Sequence, residues 1–393
     1  MSGRSSVWRA PGMVDLAVLA VFGFSGYAAL LATAPLWAVA GGATAAGAGL
    51  VNGVLLAATV LAQLAVPRAL TRWGNGPVLV AGLLLLGVPS PAYLLSDGLA
   101  WPLALSAVRG VGFGILTVVA AAVVVHLVPP ARRGAAIGVY GLGVAVPSLL
   151  LLPASVPVVE GWGFGPVFWA GALPLLGVPS ALRLARVLRD IVAARPEAGP
   201  EAAPEPSART LRGLRGLVRP TLVLFSVTMA GGALLTFAPQ LTDPGTAAAV
   251  LLTMGATAAL SRWLVGALAD RHGARPFLFP VLAAAAVAMT LCAWAVARQA
   301  DGVLIGAATV FGLCYGALHN LTLVEAFAAV EPPQLPAASA GWNIGFDAGT
   351  AAGSVLTGAL ATAYSFPVAL TALAALCLLV SVLQVRRRST LVG

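Results

Sequence analysis

Twelve apolar runs, each about 20 residues long, are strung along this chain with short polar intervals between them, and no other feature limits its fold so severely. They lie near 13–37, 45–66, 77–95, 102–127, 134–157 and 165–186, then near 219–240, 246–268, 276–297, 302–328, 336–361 and 365–385. A bilayer core about 30 Å thick needs roughly 20 apolar residues for each helical crossing. Lipid offers no hydrogen bonds, so such a run satisfies its backbone by closing into a helix. Only 9% of the residues are charged, against about 25% in soluble domains. The expected fold class is all-α integral membrane: twelve transmembrane helices in two pseudo-symmetric six-helix bundles.

Arginine placement tests the count. Every one of the 22 basic residues is an arginine. Arg4 and Arg9 precede the first run, Arg68 and Arg72 separate the second from the third, and Arg132 and Arg133 separate the fourth from the fifth. Arg271 and Arg275 follow the eighth, and Arg386, Arg387 and Arg388 follow the last. The alternate loops hold Asp97, Glu160, Asp243 and Asp301, with Arg298 as their basic residue. Arginine-rich loops stay in the cytoplasm, so a multi-pass protein of the plasma membrane with both termini cytoplasmic is expected, the first run being a retained helix and not a cleaved signal. The net charge of +9 is scattered over short loops and builds no nucleic-acid groove. Cys292, Cys314 and Cys377 lie in apolar runs without metal-ligand spacing and read as small buried hydrophobes.

The domains read as a bundle at 1–188, a cytoplasmic linker at 189–218 and a second bundle at 219–393. The linker, rich in Pro, Glu and Ala, suits a flexible tether. Its end, ARTLRGLRGLVR, spaces leucine and arginine three apart, as in a helix lying on anionic headgroups.

The halves repeat each other. GALADRHGAR stands after the eighth run, and PRALTRWGNG stands at the matching place after the second. Aligning Gly74 with Gly273 sets Arg72 on Arg271 and Thr71 on Asp270. The second-half segment resembles the signature loop of the major facilitator superfamily, Gly-x-Leu-Ala-Asp-Arg-x-Gly-Arg, through Gly266, Leu268, Ala269, Asp270, Arg271 and Gly273, with Arg275 one place late. The first-half copy, with Arg68, Arg72 and Gly74, is degenerate. The resemblance implies a transporter of two similar bundles whose loop is a cytoplasmic latch, in which Asp270 caps a neighbouring helix or pairs with an arginine. An ordinary positive-inside anchor is the alternative.

Ionisable residues inside spans cost on the order of 3 kcal/mol and are functional by default. Asp347 lies about twelve residues into the eleventh run, flanked by Asn343, Gly345, Gly349 and Gly353. It is a candidate proton carrier or substrate ligand, or else the partner of a buried arginine. Arg109, with Gly112 and Gly114, resembles the family's fourth-helix motif, which implies proton transfer; bonding to kinked backbone is the structural alternative. Asp15 begins the first run, where it either carries a proton or snorkels to the interface, and Tyr27 is placed to face a cavity. His319, Asn320 and Glu325 follow one another along the tenth run, with Arg262 on the eighth as a possible partner of Glu325 or Asp347. Gly138, Gly141, Gly143 and Pro147 predict a bent fifth helix with a close-packed face, and match the family's exporter pattern only in part.

No nucleophile, Walker loop or metal spacing appears, so no enzymatic activity, cofactor or metal is expected. The expected function is secondary active transport, with proton-coupled export of a small amphiphilic or neutral compound by a monomer working through alternating access. A proton-coupled importer or facilitator of a metabolite is a second reading. A membrane-embedded subunit of a larger complex is a third.

Overall fold

The computed structural model describes residues 7–129, 132–193, 208–331 and 334–389, and these are helical with no strand. The spans of the first half are α1 (Met13–Ala40), α2 (Ala45–Trp73), α3 (Asn75–Leu95), α4 (Ala100–Val124), α5 (Ala135–Trp162) and α6 (Phe164–Ile191). In the second half come α7 (Gly216–Leu241), α8 (Pro244–Gly266), α9 (Arg275–Arg298), α10 (Asp301–Ala328) and α11 (Leu335–Ala363). The last is α12 (Phe366–Leu383). Eleven of these are long and apolar enough to cross a membrane by composition. The remaining one, α11, is 29 residues long, and its Asn343, Asp347, Ser, Thr and Gly residues dilute its apolarity.

The described residues of the chain fall into two compact units, Met1–Thr33 with Ala57–Ala203, and Ala34–Leu56 with Pro204–Gly393. In the first unit α1 packs on α5 and α3 on α4, around Leu16, Leu19, Leu79, Leu83, Phe113 and Leu116. Span α6 is not a continuous α-helix: a 3-10 turn at Leu173–Gly177 interrupts it. Pro174 of that turn lies against Gly26, where a Cβ would meet its ring. Within lipid such close approach supplies packing energy that the hydrophobic effect cannot.

The second unit is assembled on glycine. A Cβ at Gly312 or Gly316 of α10 would strike the Met254 and Ala258 carbonyls of α8. Likewise Gly349 and Gly353 of α11 lie directly on Phe225 and Met229 of α7. These are the glycines that flank Asp347 in the sequence, and they do bring two helices into contact. Residues 45–56 of α2 join this unit in the same manner, Gly49 and Gly53 lying on Ser354 and Val355. There Asn52 Nδ2 donates to Thr236 Oγ1 at 2.9 Å, and Thr236 and Ser354 share a 2.8 Å hydrogen bond.

The aligned loop glycines have the same backbone. Gly74 has φ 76° and ψ 172°, and Gly273 has φ 76° and ψ 162°. The Gly74 N–H donates to the Leu70 carbonyl at 2.9 Å and the Gly273 N–H to the Ala269 carbonyl at 2.8 Å, each closing its helix. Both sit in a region open essentially to glycine alone. The alignment of the halves therefore holds at atomic detail at this turn.

One helix, Ala208–Leu241, runs from the linker's end straight into α7 with Pro220 inside it. The ARTLRGLRGLVR segment thus extends a span and does not form a separate surface helix. Of the tether expected at 189–218, residues 189–193 and 208–218 instead continue the helices on either side, and residues 194–207 lie outside the described residues.

Candidate functional site

Among the described residues, two centres that hold buried ionisable side chains lie within spans, one in each unit. In the first, Arg109 of α4 is 1% exposed. Its Nη2 donates to the Gly26 carbonyl at 2.8 Å and its Nε to the Leu86 carbonyl at 3.4 Å. The guanidinium lies 5.8 Å from the Tyr93 ring centre, and Tyr93 in turn shares a 2.8 Å bond with Ser106. Gly26 is where α1 meets Pro174 of α6, so the arginine ties α1 and α3 together from α4.

Elsewhere in that unit, Asp15 accepts a 2.7 Å bond from Arg183 Nε, with 20% and 56% of the two side chains exposed. Tyr27 stacks on Phe113 with ring centres 3.9 Å apart. Along α5, Gly143 alone of the three glycines is closely packed, against Ala20 of α1. Gly138 and Gly141 face open space, and Pro147 lies inside the helix.

The second centre lies where α10 and α11 meet beside α8. Tyr315 and His319 stand one turn apart on α10, 6% and 4% exposed. Trp342 and Phe346 stand one turn apart on α11. The His319 ring centre is 4.2 Å from that of Tyr315, 4.8 Å from that of Phe346 and 5.9 Å from that of Trp342. Trp342 Nε1 donates to Thr322 Oγ1 at 3.1 Å. The Tyr315 hydroxyl and His319 Nε2 are buried without a hydrogen-bond partner, as is the Asn320 Oδ1. The Asn320 amide nitrogen donates to the Arg262 carbonyl at 3.0 Å. Asp347, one residue beyond Phe346, is 5% exposed. Arg262 and Asp347 both lie within electrostatic reach of the Tyr315 hydroxyl.

The remaining expected residues are dispersed. Glu325 accepts a 2.7 Å bond from Arg275 Nε and so pairs with the end of the signature loop instead of with Arg262. Asn343 is exposed and donates to the Ser339 carbonyl of its own helix at 2.9 Å. Arg68, Arg72 and Arg271 lie at helix ends, with the Arg72 guanidinium 5.5 Å from the Trp73 ring centre. Gly266 sits near Asn320. The Asp270 side chain, on which the latch expectation rests, lies outside the described residues. Tyr315, Trp342 and Phe346 were not singled out from the sequence; the signal was an aromatic pair at i and i+4 on each of two neighbouring spans.

Helices of this length and apolarity, grouped in two units and closing their loops on equivalent glycines, define a polytopic membrane protein of duplicated helical bundles. The family model of the Major Facilitator Superfamily matches residues 16–243 and again residues 220–390, and the chain belongs to that superfamily of membrane transporters. A bacterial homologue of the human lysosomal transporter Spinster, in an inward-facing occupied form, is similar in structure with a TM-score of 0.71. It is 15% identical, with 98% of each chain covered. A mutant of the nucleoside transporter NupG is similar with a TM-score of 0.67 at 13% identity, covering 95% of this chain and 99% of that one. Likeness at these identities speaks for the fold. No curated protein matches the sequence.

Proposed function

We propose that the protein is a proton-coupled secondary transporter that exports a small amphiphilic compound from the cytoplasm across the cell membrane, as a monomer with both termini inside. Asp347 carries this reading. It is a carboxyl group buried at mid-span, on a helix held against α7 by Gly349 and Gly353 and within electrostatic reach of the Tyr315 hydroxyl, which has no bond. A titratable acid at that depth is costly and is kept where charge must come and go. The glycine contacts let α11 sit close to α7 without side chains to interlock, which suits a helix that shifts between two packings. The latch role of Asp270, Arg271 and Gly273 and the domain limits 1–188 and 219–393 belong to the same reading.

The test is gradient-driven flux in liposomes containing the purified chain, without ATP. Substrate uptake on imposing a pH gradient is expected for the unaltered protein. Asp347→Asn is expected to lose gradient-driven flux by at least tenfold while keeping substrate binding. Normal pumping by that variant removes Asp347 from proton coupling.

A further inference from the structure

The second polar centre also has a chemical preference. Arg262 is a permanent cation in the last turns of α8, where its carbonyl accepts from Asn320 of α10, the residue next to His319, and its guanidinium lies within electrostatic reach of Tyr315 and His319. Among the described residues the two ion pairs are Asp15–Arg183 and Glu325–Arg275, and neither uses it. A guanidinium near a low-dielectric wall gains most from a planar anion that it can grip with two parallel N–H donors. On α10, the Tyr315 hydroxyl and His319 Nε2 are buried groups with unused hydrogen-bonding capacity. Leaving such a group unbonded is costly, and a bonded occupant would recover that cost. Phe346 and Trp342 are half-buried, stacked with ring centres 5.9 Å apart and planes at 23°. They give the centre a flat apolar wall.

Together these features pair one cation with hydrogen-bonding groups and an aromatic face, with the Asp347 carboxyl in reach of the same tyrosine. We infer that this centre recognises an organic anion with a planar aromatic body, an aryl carboxylate being its simplest form. Arg262 meets the charge, Tyr315 and His319 bond to the polar edge, and Trp342 with Phe346 covers the ring. The inference rests on the transport reading in taking that anion to be the substrate, and it narrows the substrate from neutral or amphiphilic to anionic.

The test is calorimetric binding to the full chain in nanodiscs of phosphatidylcholine, with no gradient present. Three probes separate the components: 1-naphthoate, its neutral amide 1-naphthamide, and the non-aromatic anion hexanoate. Naphthoate is expected to bind saturably, with the amide and hexanoate each at least tenfold weaker. Arg262→Gln is expected to erase the tenfold preference for acid over amide while the amide binds as before, and Arg262→Lys to restore part of it. Phe346→Leu is expected to weaken both aromatic probes alike. Equal binding of acid and amide by the unaltered chain overturns the inference, as does an undiminished preference in Arg262→Gln, or no binding of naphthoate. Repeating the titration with phosphatidylglycerol in the nanodisc tests the other source of an anion: loss of naphthoate binding there would assign Arg262 to lipid headgroups and also overturn it. Naphthoate binding without gradient-driven flux would sink the transport reading and leave this recognition standing. Flux of other compounds with no preference for anions would do the reverse.

Discussion

Arg109 in the first unit and the Tyr315–His319 pair in the second are polar groups buried to nearly the same degree, 1% against 6% and 4% exposed. Their bonding differs completely. Arg109 spends its donors on the carbonyls of Gly26 and Leu86, whereas the Tyr315 hydroxyl and His319 Nε2 have no bond at all. Burial of a polar group is costly unless it is bonded. The first centre meets that cost inside the fold and so holds helices together. The second leaves the cost standing, which favours whatever occupant brings the missing partners. Satisfaction, more than burial, separates a structural polar group from a recognition group.

The largest expected effect attacks the satisfied side. Arg109→Ala deletes two charge-assisted bonds and leaves a void where α1, α3 and α4 converge. A loss of about 3 kcal/mol is expected, seen as a thermal unfolding midpoint several degrees lower in detergent. An unchanged midpoint would mean that these bonds hold nothing, and the contrast would collapse.

Next come the loop glycines, the place where the two halves agree. No atom lies within 4 Å of a Cβ built at Gly74 or Gly273, so substitution there meets backbone strain alone. Gly74→Ala and Gly273→Ala are each expected to cost about 1–3 kcal/mol, and by the same amount. Unequal midpoints would show that the halves differ even in this turn.

The unsatisfied side calls for a split result. Tyr315→Phe removes an oxygen that no protein group bonds, so stability is expected to stay within about 0.5 kcal/mol. Flux of the transported compound is expected to fall about tenfold, close to 1.4 kcal/mol of lost recognition. A variant that loses stability instead would place the hydroxyl on the structural side with Arg109.

How much of this could be read in advance depends on whether a feature is set by length or by direction. The span count and the turn at Gly273 were legible because twenty apolar residues cross a bilayer in any packing, and because a glycine ending a helix beside charges marks a turn. The lateral neighbours of each helix were not. Glu325 and Arg262 are both near the ends of their runs, yet it is Arg275 that reaches Glu325, because pairing depends on how each helix is rotated. Nor did the sequence disclose that residues 45–56 of α2 pack with α7 and α11, since Gly49 and Asn52 look like any small and polar residues in a span. Tyr315 and Phe346 escaped for a related reason: aromatic residues in apolar runs usually fill space. The unbonded state of a hydroxyl becomes visible only once its neighbours are in place.

The smallest effect lies in the loops, where water replaces the protein as a bonding partner. Matching spans of the two halves, α2 and α8, begin with different caps. At α2, Thr44 Oγ1 accepts from the Gly47 N–H at 3.4 Å. At α8, Asp243 Oδ1 accepts from the Gly245 and Thr246 N–H groups at 2.9 and 3.0 Å. The bonds from Thr246, and then those from Gly245 and Thr242, hold the Asp243 carboxyl below its ordinary value. A carboxyl lowered on folding adds stability above its unfolded pKa of about 3.9, and the addition is lost as pH falls through the folded value. Asp243→Asn is therefore expected to unfold at a slightly lower temperature than the parent at pH 7, with the gap closing below about pH 4. Thr44→Ala is expected to show a gap that does not change with pH. A pH-independent gap for both would mean that the aspartate caps α8 only as a neutral acceptor could. Because the carboxylate is fully exposed, water already supplies most of what the cap supplies, and its removal leaves no buried group unbonded. The same change made at a buried centre such as Arg109 has no such relief, which is why the two lie at opposite ends of this scale.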